Sequence, residues 1–110
     1  MTKLVTPETL KIQLETEAPT IIDVRSPEEY AEGHVLGAMN IPIDEVEQRL
    51  DEVPQDRPVV TYCNMYHPGS SRGERAAALL QAMGFEATAL NGGYPGWLNL
   101  NPDKSDKPDE

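Results

Sequence analysis

Pro58-Val59-Val60-Thr61-Tyr62-Cys63, then Asn64-Met65-Tyr66-His67-Pro68-Gly69-Ser70, then Ser71-Arg72-Gly73-Glu74 is the stretch that decides the fold. The first six residues are β-branched and aromatic, and they read as the strongest strand of the chain. The next seven are loop by composition. Ser71 to Glu74 has the Ser-x-x-Glu pattern of a capping box at a helix start. Ala76, Leu79, Leu80 and Met83 then form a helical stripe, and Gly84 stands where a C-terminal cap belongs. A cysteine therefore sits at the carboxyl end of a buried strand and faces a helix N-terminus.

The same alternation extends in both directions. Upstream, Thr6 caps a helix that opens at Pro7-Glu8 and ends near Glu15-Thr16, with Val5 and Leu10 spaced as a hydrophobic staple. Pro19 to Val24 reads as a buried strand. Ser26-Pro27-Glu28-Glu29-Tyr30 starts a short helix. Gly33 to Gly37 is a glycine-punctuated turn, and Ala38 to Ile41 is a second short strand. Ile43, Val46, Leu50 and Val53 share one face of an amphipathic helix that begins near Asp44. Downstream, Glu86 to Leu90 is a strand, Asn91-Gly92-Gly93 is a turn, and Tyr94 to Leu98 is a last helical turn. Strands alternating with helices predict an α/β fold with a small, mostly parallel central sheet flanked by helices on both faces. In such sheets ligands bind beyond the carboxyl ends of the strands, near helix N-termini.

A chain of 110 residues fits one domain. That domain is expected over residues 1–100. Residues 101–110 hold no apolar side chain and read as a disordered acidic tail. The net charge of −10 opposes phosphate backbones and anionic lipid headgroups, which argues against nucleic-acid and membrane partners. One cysteine excludes an internal disulfide, and with two histidines the ligand set is too small for a structural zinc site. No cofactor is called for. Met1 to Pro7 shows no apolar core of a signal segment and no run is long enough to span a membrane, so the expected location is the reducing cytoplasm.

Cys63 carries the chemistry. Unpaired backbone N–H groups of the following helix, its dipole and the charge of Arg72, with Arg75 as a second cation, all favour the thiolate. The thiolate is the nucleophilic form of cysteine. Gly69 and Gly73 let the backbone approach a bound anion, and Ser70 and Ser71 add hydroxyl donors. His67 is a further cation or base on the loop. The plainer reading is that Cys63 is a small buried hydrophobe, as free cysteines often are.

Four blocks resemble the rhodanese-like family, from about Lys3 to Leu100. Ile22-Asp23-Val24-Arg25, with Glu29-Tyr30 and Gly33 to Pro42, looks like its first signature. Val60 to Cys63 looks like its catalytic strand, and Arg72 to Phe85 like the helix after the active-site loop. Gly92-Gly93-Tyr94-Pro95-Gly96-Trp97 looks like the second signature. The resemblance implies that Cys63 accepts a sulfane sulfur as a persulfide and passes it to a thiophilic acceptor. It also implies that loop amides and Arg72 hold a small sulfur-containing anion or a persulfide donor. Asp23 and Arg25 are expected as a structural pair near a strand end, His34 as a turn-stabilising hydrogen bonder, and Tyr94 and Trp97 as packing residues.

The loop departs from the family pattern. Arg72 follows Cys63 by nine residues, four more than usual, with the extra length around Met65 to Pro68. The donor is therefore open between thiosulfate and a persulfide or polysulfide. The acceptor is a thiol of a small molecule or a protein. A second reading is a non-catalytic module of the same fold that binds a partner. A third is a cysteine-dependent phosphatase or arsenate reductase, but the arginine those enzymes carry six residues after the cysteine falls on Gly69 here.

Overall fold

The computed structural model of the chain describes residues 4–16, 18–64, 71–100 and 105–106. The strands are β1 (Leu4–Val5), β2 (Thr20–Asp23), β3 (His34–Val35), β4 (Met39–Asn40), β5 (Val59–Tyr62), β6 (Ala87–Leu90) and β7 (Ser105–Asp106), of which β2 and β5 are the β-branched runs. Five of them form a sheet in the order β1-β6-β5-β2-β4, and all of its pairings are parallel. Parallel neighbours need crossovers, which the helices supply: α1 (Pro7–Thr16), α2 (Pro27–Glu32), α3 (Arg72–Ala82) and α4 (Gly93–Leu100). The α/β architecture expected from the sequence, with helices on both faces, is the one observed.

Two apolar layers sandwich the sheet. One gathers Ile22, Val24, Val59 and Cys63 with Ala76, Ala77 and Leu80 of α3. The other gathers Ile21, Val60 and Tyr62 with Leu10 of α1 and Tyr94 and Trp97 of α4. Along β5 the residues alternate between the layers, as strand pleating requires. Full burial of each Val, Leu or Ile contributes about 1.5–3 kcal/mol against leaving it exposed. Tyr62 and Cys63 thus point to opposite faces, and this parity directs the thiol toward α3.

The helix starts follow their caps. Thr6 Oγ1 accepts from the Thr9 N–H at 3.1 Å, and Val5 and Leu10 are buried in one cluster. Ser26 and Glu29 close a reciprocal capping box on α2. At the end of α3, the Phe85 N–H donates to the Leu80 carbonyl and the Gly84 N–H to that of Gln81, at 3.0 and 3.1 Å. These bonds make a Schellman motif, and Gly84 supplies its positive φ of 96°. The same turn swings Met83 out to 51% exposure, so the expected apolar stripe ends at Leu80.

The following expectations need correction. The amphipathic helix from Asp44 is instead two 3-10 segments, Ile43–Glu45 and Glu47–Glu52, broken at Arg49 (φ −118°, ψ 24°). A 3-10 turn aligns residues three apart, so Ile43 with Val46 and Leu50 with Val53 each need their own segment to face the core. The sequence predicts only a staple at Val5, where the structure has β1; two edge residues give too short a pattern to register as a strand. The Gly33–Gly37 turn contains β3, which pairs antiparallel with β7, His34 opposite Asp106 and Val35 opposite Ser105. Residues 105–106 of the expected tail take part in this pairing through their main chain, which needs no apolar side chain. The rest of that tail lies outside the described residues. Finally, α4 runs for eight residues rather than one turn.

Candidate functional site

β5 ends at Tyr62, so Cys63 is the first residue past the carboxyl edge of the sheet. It is 3% exposed. The Gly73 N–H, in the first turn of α3, donates to its Sγ at 3.4 Å. The main chain of Cys63 is fixed from the other side, since its carbonyl accepts from the Tyr94 N–H at 2.9 Å. One helix N-terminus therefore faces the sulfur and another holds the carbonyl.

Gly73 makes this approach possible. A Cβ built there would stand 3.0 Å from the Tyr62 Cα and 3.4 Å from the Cys63 nitrogen. The missing side chain serves contact between helix and strand, rather than the approach of an anion that the sequence suggested. Thr61 adds a clamp, its Oγ1 donating to the Gly73 carbonyl at 2.5 Å. Gly73→Ala must push α3 away from backbone atoms that cannot move. We expect it to cost about 1–3 kcal/mol, as overpacking does, and to lengthen the N–H···S contact. Thermal unfolding checks this, and an unchanged midpoint would show that the contact is slack.

Ser71 is the N-cap of α3, and its Oγ accepts from the Glu74 N–H at 3.1 Å. That oxygen is engaged in holding the helix end. Arg72 is about a third exposed and pairs with Glu29, Nη1 to Oε1 at 3.4 Å. Arg75 lies exposed on the next turn. His67, Gly69 and Ser70 lie outside the described residues, so three of the expected donor contacts have no geometry here.

Behind the thiol stands a buried polar cluster. Arg25 and Asp23 form an ion pair at 2.7 Å, with side-chain exposures of 4% and 0%. Arg25 also donates to the Gly33 carbonyl at 2.6 Å, and Tyr62 Oη donates to Asp23 Oδ2 at 2.9 Å while accepting from the Val35 N–H at 2.9 Å. Burial pushes the Tyr62 phenol up, and the Asp23 charge adds to it. The Arg25 guanidinium lies over the Tyr94 ring at 4.7 Å. Asp23 and Arg25 are thus the structural pair that was expected. His34 is likewise a turn stabiliser, its Nδ1 2.8 Å from the Tyr30 carbonyl and its ring stacked on Tyr30 at 3.6 Å.

Two residues connect this cluster to the helix end, and the sequence reading gave neither a part in the site. Asn64, next to Cys63, accepts from Arg25 Nη1 at 3.3 Å and donates to Glu29 Oε2 at 2.9 Å. Burial pushes the Glu29 carboxyl up, but the Ser26 N–H bond and the Arg72 charge outweigh it and hold the group below its usual range. The signal for Glu29 was the Ser26-x-x-Glu29 spacing. For Asn64 there was none beyond its place after the cysteine.

Comparison with known proteins identifies the family and the fold. The Rhodanese-like domain family model matches residues 6–100. The chain is 44% identical over 78 residues to the uncharacterized protein YqhL of Bacillus subtilis, covering 70% of this chain and 59% of that protein. It is 32% identical over 101 residues to the thiosulfate sulfurtransferase GlpE of Pseudomonas entomophila, covering 91% and 88%. The crystal structure of reduced Bacillus anthracis CoADR-RHD superposes with a TM-score of 0.83 at 30% identity, over 94% of this chain and 18% of that one. The chain therefore spans under two thirds of the YqhL protein and a small part of the B. anthracis chain. No helix among the described residues is long and apolar enough to cross a membrane.

Proposed function

The chain belongs to the rhodanese-like domain family, and from that premise we propose that it is a sulfurtransferase that carries sulfur on Cys63 as a persulfide. The observation that carries this reading is the Cys63 Sγ at the carboxyl edge of the sheet, 3.4 Å from the Gly73 N–H of α3. An amide aimed at a sulfur stabilises negative charge there, both on the attacking thiolate and on the persulfide that follows.

The chemistry runs in two displacements. The Cys63 thiolate attacks the outer sulfur of the donor. With thiosulfate the S–S bond breaks and sulfite leaves with the bonding pair; with a persulfide or polysulfide the shortened thiolate leaves. Cys63 then holds a persulfide. An acceptor thiolate attacks its terminal sulfur, takes it, and returns the Cys63 thiolate. The chain has one cysteine, so the acceptor is an external thiol or cyanide. A reducing cytoplasm suits a lone thiol in this role.

Arg72 is the cation we assign to the donor, ahead of Arg75, because it stands one residue before the amide that meets the sulfur. A charge-assisted contact is worth about 1–3 kcal/mol. Arg72→Ala should therefore raise KM for thiosulfate by roughly ten-fold, near the middle of that range. Arg75→Ala should change it little. Steady-state kinetics with both variants test the assignment, and equal effects or the reverse order would overturn it.

A further inference from the structure

Arg72 is not idle in this structure. Its guanidinium meets Glu29 Oε1 at 3.4 Å, and the other Glu29 oxygen accepts from Asn64 at 2.9 Å. Glu29 is itself fixed, because Oε1 accepts from the Ser26 N–H at 3.1 Å as the closing half of the α2 capping box. Asn64 is anchored from behind by Arg25 at 3.3 Å. The Arg25 charge is matched by Asp23 at 2.7 Å. The four charges Asp23, Arg25, Glu29 and Arg72 thus sum to zero, and the carboxylate at the Arg72 end occupies the place an anion would take. Arg72, Arg25 and Ser26 also border a cleft of about 280 Å³, which Asp44 and Glu45 line as well.

We propose that Glu29 is a positioning residue that sets donor specificity: its carboxylate stands in for the donor on Arg72, so an anionic donor binds only by displacing it. The inference rests on the sulfurtransferase reading for the identity of the donor, and on the Arg72–Glu29 contact for the latch itself. Two consequences follow. Glu29 parks Arg72 beside the amide end of α3 when no donor is present. It also disfavours anions that gain little from Arg72, because the Glu29 charge then remains in place to repel them. A purely structural Glu29 would support the α2 cap without touching anion affinity.

The test separates binding from turnover. Thiosulfate is titrated into Cys63→Ser protein, in which no sulfur moves, and the Gly73 N–H is followed by NMR. Glu29→Gln added to that protein keeps the side-chain length and an oxygen for the Ser26 N–H. It should tighten the dissociation constant by about two- to five-fold, the scale of a partly exposed ion pair. The gain should vanish when Arg72→Ala is also present. An unchanged or weaker constant, a gain that survives without Arg72, or no binding to either protein overturns the proposal. Intact mass of the wild-type chain after exposure to donors reports separately. A persulfide adduct with no Glu29 effect removes the latch and keeps the sulfurtransferase reading, whereas a Glu29 effect with no adduct from any donor does the reverse.

Discussion

Cys63→Ser is expected to abolish sulfur transfer to cyanide or a thiol, to the rate of the uncatalysed reaction, while leaving the fold in place. A serine hydroxyl is a far weaker nucleophile toward sulfur and forms no persulfide. Ser fits the volume, and the Gly73 N–H can donate to its oxygen as it does to Sγ at 3.4 Å. The thermal midpoint should therefore move little, since the swap exchanges one small buried side chain for another. Transfer activity measured beside thermal unfolding decides the matter. Retained activity in a folded Ser variant would mean that some other group carries the sulfur.

Asp23→Ala should have the largest effect on stability. Asp23 is fully buried and accepts from the Arg25 backbone and guanidinium and from Tyr62 Oη. Removing it leaves Arg25, 3% exposed, without its counter-charge and takes the acceptor from the Tyr62 hydroxyl proton. Breaking a buried pair in this way costs about 3–5 kcal/mol. For a domain near 100 residues that lowers Tm by at least about 12 °C, and much of the chain's total stability goes with it. A fall of under about 4 °C would show that Arg25 finds water or another partner. The cluster links α2, β3 and β5 to the thiol's neighbour Asn64, so activity should fall with stability.

The parts of this protein that the sequence discloses are those governed by local rules. Caps at Thr6, Ser26 and Ser71, the Gly84 terminus of α3 and the β-branched runs of β2 and β5 follow from short-range chemistry, and each stands where the pattern puts it. The position of Cys63 against a helix N-terminus follows from strand parity and the Ser71 cap. What the sequence conceals is set by tertiary demands. The break at Arg49 exists because two apolar pairs must reach one core, and nothing near Arg49 signals it. Glu29 and Asn64 meet across 35 residues of chain, a separation that no periodicity encodes. Gly73 looked like room for a ligand because sequence shows that a side chain is missing but not what fills its place.

The most direct test of the central claim is the intact mass of the reduced chain after exposure to thiosulfate and, separately, to polysulfide or glutathione persulfide. The expected result is a gain of one sulfur atom, about 32 Da, that is absent from Cys63→Ser and lost on adding an acceptor thiol. The donor that loads the chain best then defines what the lengthened loop after Cys63 selects. A wild-type chain that gains no sulfur from any of these donors would contradict the account and leave the fold as a partner-binding module.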